Sequence, residues 1–181
     1  MSKRPKIAEA EQDSIDRFLA VALARFPTLD PAAEAAVDRM TRIVKYLDKL
    51  TGRTSARFGL NVGEFKVLMK LDMHGAMTAG ELADVLSLST GATTNRLDGL
   101  EEAGYITRTR DPEDRRSVLV DITDPGREVL ERIVEAQGGE ERDLLAVLEP
   151  AEHDRLNELL RAIVREIDGH DPHMPHVPPP A

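Results

Sequence analysis

No cysteine occurs among the 181 residues, and aromatic side chains make up only 3% of them, with no tryptophan. Without cysteine there are no structural disulfides, no thiolate metal sites and no peroxide sensing through a thiol. No apolar run approaches the roughly 20 residues that span a bilayer, and the opening Met-Ser-Lys-Arg-Pro-Lys is not followed by an apolar stretch of secretory type. A cytoplasmic location without membrane contact is therefore expected. There is also no Gly-rich phosphate loop, no His-Glu metal motif and no nucleophile elbow. Neither enzymatic activity nor a cofactor is expected.

What is present is enough apolar material for a core, 41% of the residues, on a chain of net charge -9. That charge argues against indiscriminate adhesion to nucleic acid, because non-specific binding comes from neutralising phosphates with Lys and Arg. The charges are partly segregated. Glu131, Glu135, Glu140, Glu141, Asp143, Glu149, Glu152, Asp154 and Glu158 follow residue 123, whereas Arg96, Arg108, Arg110, Arg115 and Arg116 precede it. A small, locally basic face on an acidic body is the expected arrangement.

Helical periodicity dominates the chain. Ile15, Phe18, Leu19, Ala22, Leu23 and Phe26 form an apolar stripe that Pro27 closes. Asp30-Pro31 opens a second helix, to about Phe58, whose Ala36, Met40, Ile43, Leu47 and Leu50 alternate steps of four and three. A third runs from Val62 to about Met73 and buries Phe65, Leu68, Met69 and Leu71 or a subset, with His74-Gly75 at its end. Past residue 123, Asp124-Pro125 is expected to cap a helix that Gly138-Gly139 weakens or kinks, and Glu149-Pro150 opens a last one with a stripe of Leu156, Leu159, Leu160, Ile163 and Ile167. From Gly169 on, the Pro- and His-rich end is expected to be disordered. These stripes exceed what the central segment can cover, which predicts a homodimer.

The central segment has the order that DNA reading requires. Thr78-Ala-Gly-Glu81 is a capping box that opens a short helix to Leu86. A second helix opens at Ser89 and ends at Gly104. Thr93, Leu97 and Leu100 face the rest of the unit, so Thr90, Gly91, Thr94, Asn95 and Asp98 occupy the opposite face, with Arg96 at its edge. Short mixed donors and acceptors let such a helix sit close to base edges in a major groove, where Asn addresses adenine and Thr meets a thymine methyl. Then follow Tyr-Ile-Thr-Arg-Thr-Arg, the charged turn Asp111-Pro-Glu-Asp-Arg-Arg116, and the returning strand to Thr123. Val118, Val120, Ile122 and Ile106 are expected inward, with Arg108 and Arg110 outward. At the tip, Arg116 suits a narrow minor groove, steadied by Asp114, while Arg115 suits a phosphate. The fold class expected is mainly α with a small β-wing: a winged helix-turn-helix core between N- and C-terminal dimerisation helices.

The stretch Ser89-Thr-Gly-Ala-Thr-Thr-Asn-Arg-Leu-Asp-Gly-Leu-Glu-Glu-Ala-Gly104, followed by Asp-Pro-Glu-Asp-Arg-Arg-Ser and Ile122-Thr123, resembles the MarR family of bacterial transcriptional regulators. Asp114 and Arg116 match its Asp-x-Arg wing element. The resemblance implies a dimer on a pseudo-palindromic double-stranded DNA operator, usually repression, and release by a small effector held between the dimerisation helices and the reading unit. The helix before Pro27, with Gly59-Leu-Asn and Glu64-Phe-Lys-Val-Leu, resembles the urate-responsive branch. That branch uses a tryptophan and an aspartate; this chain has no Trp, and Lys66 stands where the aspartate would fall. The resemblance makes Phe18, Ala22, Phe65, Lys66 and Met69 the candidate effector residues; with a lysine in the aspartate's place, urate is not the expected ligand, and the charge preference is the opposite of that aspartate's.

The organisation expected is an extension helix (1–29), a dimerisation helix (30–60), the DNA-reading unit (61–123), C-terminal dimerisation helices (124–168) and a tail (169–181). Two rival functions remain open on sequence. One is a winged-helix module that docks proteins and has little affinity for DNA. The other is a metal-responsive regulator using His170, His173 and His176, which recur every third residue. Prolines between these histidines, and the lack of carboxylate or thiol partners, favour a solvated tail with no metal.

Overall fold

The computed structural model describes residues 12–110 and 117–170. The wing tip with Asp114, Arg115 and Arg116 lies outside them, as do His173 and His176. Two compact units divide the chain, one up to Arg53 and one from Thr54 on.

In the first unit, α1 (Ser14–Arg25) is opened by Asp13, whose carboxylate accepts the amides of Ile15 and Asp16 at 2.7 and 3.0 Å. Asp16 returns the bond at the Asp13 amide, 2.9 Å away, which completes a capping box. Asp30 opens α2 (Pro31–Arg57) by accepting the amides of Ala32 and Ala33. Arg39 ties the two helices, donating to Asp13 at 2.9 Å and to Asp16 at 2.6 Å. Leu19 of the α1 stripe is buried, while Phe18, Phe26, Val37, Ile43 and Val44 stay exposed.

The second unit continues with α3 (Val62–His74), β1 (Met77–Thr78), α4 (Ala79–Val85), α5 (Thr90–Glu102), β2 (Ile106–Arg110), β3 (Val118–Ile122), α6 (Asp124–Leu145) and α7 (Pro150–His170). Capping boxes at Asn61/Glu64 and Thr78/Glu81 open α3 and α4. The strands form an antiparallel sheet in the order β1-β3-β2. The core lies between α3, α4, α5, the base of the sheet and the first half of α6, where Leu68, Leu71, Leu82, Leu100 and Ile133 are wholly buried. Each such side chain contributes about 1.5–3 kcal/mol by leaving water. The result is the mainly helical fold with a small wing that the sequence predicts.

Several local expectations change. In α3, Val67 joins Phe65, Leu68 and Leu71 in the core, and Met69 is only half-buried. The cap of α6 is Thr123, not Asp124, because Thr123 is the residue leaving β3 in extended conformation, and its hydroxyl takes the amide of Gly126. No break appears at Gly138-Gly139. The two glycines cost about 1 kcal/mol each against alanine, but Ile133 before them is buried, and Glu140 after them accepts from Thr54 and Arg57 of α2. Helix α7 also runs through Gly169 to His170, whose Nδ1 lies 2.8 Å from the Glu166 carbonyl oxygen.

Candidate nucleic-acid interface

The turn between α4 and α5 sets the approach of the second helix. Ser87 takes a left-handed conformation, φ 52°, while the Leu88 amide donates to the Ala83 carbonyl at 2.8 Å. Ser89 then caps α5, its hydroxyl accepting the amide of Ala92 at 3.3 Å. Thr93, Leu97 and Leu100 anchor the helix in the core, and the Thr93 hydroxyl donates to the Ser89 carbonyl. Thr90, Gly91, Thr94, Asn95 and Asp98 stand exposed on the other side. The Thr94 hydroxyl donates to the Thr90 carbonyl at 3.0 Å, so in the free protein it is engaged by its own helix. A methyl group on Gly91 would meet nothing within 4 Å. The bare backbone there is therefore not required by the chain's own packing, and it leaves room for a closely approaching partner.

Arg96 takes a different position from the one its place in the sequence suggests. It is half-buried and lies across the first turn of α3, where a Cβ built on Gly63 would clash with its guanidinium, at 2.2 Å from Nε. Arg96 and Lys66 line one cavity of about 190 Å³ together with Val62, Gly63, Leu86 and Leu88. Two cations face this cavity. Of the other candidate effector residues, Phe65 belongs to the buried core. Met69 packs against that core from a half-buried position. Phe18 is exposed and borders a separate cleft of about 220 Å³ in the first unit, with Ile15, Asp38, Thr41, Arg42 and Lys45. Ala22 is half-exposed on α1.

The wing departs from simple inward and outward alternation. Ile106, Arg108 and Arg110 pair with Ile122, Val120 and Val118, so all six side chains share one face of the sheet. That face starts in the core at Ile106, Ile122 and Val120 and runs out into solvent, leaving Val118 46% exposed. Arg108, midway, donates to Asp98 at 2.7 Å and to Glu101 at 2.8 Å on α5. Sequence reasoning missed this link, since nothing local relates positions 98, 101 and 108. Thr123 adds a tie at the wing's root by donating to the Gly104 carbonyl at 2.7 Å. Gly104 itself holds φ 77°, the left-handed turn by which α5 gives way to β2.

A capped helix, a tight turn, a second helix with an open polar face and an adjoining hairpin define a winged helix-turn-helix DNA-binding protein. Residues 60–118 match the MarR family. The chain is 28% identical over 144 residues to the HTH-type transcriptional regulator PecS of Dickeya dadantii, covering 78% of this chain and 87% of PecS. It is 33% identical over 120 residues to YkoM of Bacillus subtilis, an uncharacterized HTH-type transcriptional regulator, covering 66% and 78%. A crystal structure of a mutant MarR from E. coli superposes with a TM-score of 0.65 at 29% identity, covering 70% of this chain and 95% of that one. The chain belongs to the MarR family of DNA-binding transcriptional regulators and is not an enzyme. Among the described residues, no helix is long and apolar enough to cross a membrane.

Proposed function

We propose that this chain works as a homodimeric repressor that occupies a pseudo-palindromic operator and leaves it when a small anionic effector binds. The observation that carries this reading is the open N-terminal face of α5, where Thr90, Gly91, Thr94 and Asn95 stand exposed on a helix otherwise anchored in the core. Reading an inverted repeat takes two such helices about 34–36 Å apart, one turn of duplex. Pairing is supported by α7, none of whose side chains is buried: Leu159, Leu160, Ile163, Val164 and Ile167 are all exposed on it. A stripe this apolar favours cover by a second copy.

Lys66 and Arg96 support the anionic character of the effector. They put two cations beside one cavity, against the root of the reading helix. The extra helix α1 and the Glu64-Phe-Lys-Val-Leu stretch support a place beside the urate-responsive branch, and the lysine supports a different ligand. Binding at this cavity would release DNA only through a higher affinity for the arrangement of reading helices that fits the operator poorly.

Selection of bound duplexes from a random DNA pool tests the reading. Enrichment of an inverted repeat is the expected result; a lone half-site, or no enrichment, overturns it. Small carboxylates added to the complex are expected to weaken it, and Lys66→Glu to abolish that response. An undiminished response in this variant removes Lys66 from the effector site.

A further inference from the structure

The exposed side of α5 carries charge that DNA reading does not call for. Beyond Gly91, Thr94 and Asn95 the same face continues into Asp98 and Glu101, two exposed carboxylates about one turn apart. Bare carboxylates beside a duplex repel its phosphates. These two are not bare, because the Arg108 guanidinium donates Nη2 to Asp98 and Nη1 to Glu101 at 2.7 and 2.8 Å. The arginine is also the most covered of the three, its side chain 28% exposed against 57% and 42% for its partners. Its place follows from the sheet: Arg108 stands opposite buried Val120, where the wing's inner face leaves the core and runs past α5.

We infer that Arg108 is a positioning residue for DNA recognition: it holds the wing to the reading helix through Asp98 and Glu101, and with the same two bonds it screens those carboxylates from the operator phosphates. A planar fork with several N–H donors suits this double duty, whereas a point-charge ammonium does not. Both terminal nitrogens already face a carboxylate in the free protein, which distinguishes Arg108 from an arginine held in reserve for a phosphate. Partly exposed ion pairs add little to folding stability. The value of this pair of bonds lies in placement and charge.

The inference rests on α5 reading DNA, so the probe is the duplex that the full-length wild-type chain enriches from a random pool. Arg108→Ala is expected to bind it about ten-fold more weakly, the scale of losing one charge at phosphate range, with the loss shrinking as salt is raised. Adding Asp98→Asn and Glu101→Gln to Arg108→Ala is expected to restore affinity to within about three-fold of wild type, because the charges in need of screening are gone and only the lost hold on the wing remains. Thermal unfolding of each variant verifies that it folds. A triple variant as weak as Arg108→Ala overturns the inference and makes Arg108 a direct DNA contact or a purely mechanical link. So does an Arg108→Ala protein that binds like wild type. A wild-type chain that enriches no duplex overturns both this inference and the reading it rests on, so the two failures are told apart by which protein fails.

Discussion

Thr123 ends β3 and opens α6, and one hydroxyl serves both tasks. It accepts the Gly126 amide at 3.2 Å and donates to the Gly104 carbonyl at 2.7 Å. Thr123→Val deletes the hydroxyl and keeps the β-branched shape, so packing changes little. Loss of an N-cap costs about 0.5–2 kcal/mol. The Gly104 carbonyl loses a hydrogen bond worth about 0.5–1.5 kcal/mol, part of which water recovers at this half-exposed position. The variant is therefore expected to be about 2 kcal/mol less stable, a drop in Tm of roughly 5–10 °C for a unit of this size. Thr123→Ser keeps both bonds and is expected to fall only a small part of that way. Thermal unfolding followed by circular dichroism reads the series. A valine variant as stable as wild type, or a serine variant that falls as far as valine, refutes the claim that the hydroxyl, and not the methyl, makes this position a threonine.

Three further outcomes are expected. Gly126 packs so closely that a Cβ would lie 2.1 Å from the backbone oxygen of Tyr105, so Gly126→Ala is expected to destabilise by about 1–3 kcal/mol or more, and a variant with unchanged urea midpoint would show that the junction of α6 with β2 is soft. Gly91→Ala is expected to leave folding intact or raise stability by up to about 1 kcal/mol, since nothing lies near the new methyl and alanine is the better helix former, while operator affinity measured by fluorescence anisotropy falls; equal affinity would mean that the duplex does not approach this turn. The Asp13 carboxyl is held at about 2, below its ordinary 3.8, chiefly by the hydrogen bond from Arg39. A depressed folded-state pKa means that this contribution is complete above 3.8 and is lost as pH falls through that value towards 2. The helical signal of the first unit is expected to weaken in that window, and Asp13→Asn, which retains a capping side chain, to weaken it less steeply; an unchanged acid profile in the variant would discard the pair.

The parts of this protein that were legible in the sequence are those governed by neighbours in the chain. Thr78/Glu81 and the Ser89 cap follow from side-chain oxygens reaching amides two or three residues on, and Thr93, Leu97 and Leu100 face the core because a helix repeats every 3.6 residues. Asn61 and Glu64, three residues apart at the start of α3, carry the same signal. At residues 123 and 124 the signal was ambiguous, since threonine and aspartate cap helices equally well; the strand leading into Thr123 decided between them. The uninterrupted α6 was hidden for a related reason: Gly138-Gly139 weakens a helix locally, and the bonds from Thr54 and Arg57 to Glu140 come from a distant part of the chain.

By itself, then, the amino-acid order determined most of the helices, the caps at Thr78 and Ser89, the polar face of α5 and the family. Only the tertiary structure decided where the arginines go. Arg96 turned from the edge of the reading face to a cavity beside Lys66, and Arg108 turned from solvent to Asp98 and Glu101. Long charged side chains are directed by whatever backbone and countercharge the fold brings within a few ångströms, and residues far apart in the chain supply both.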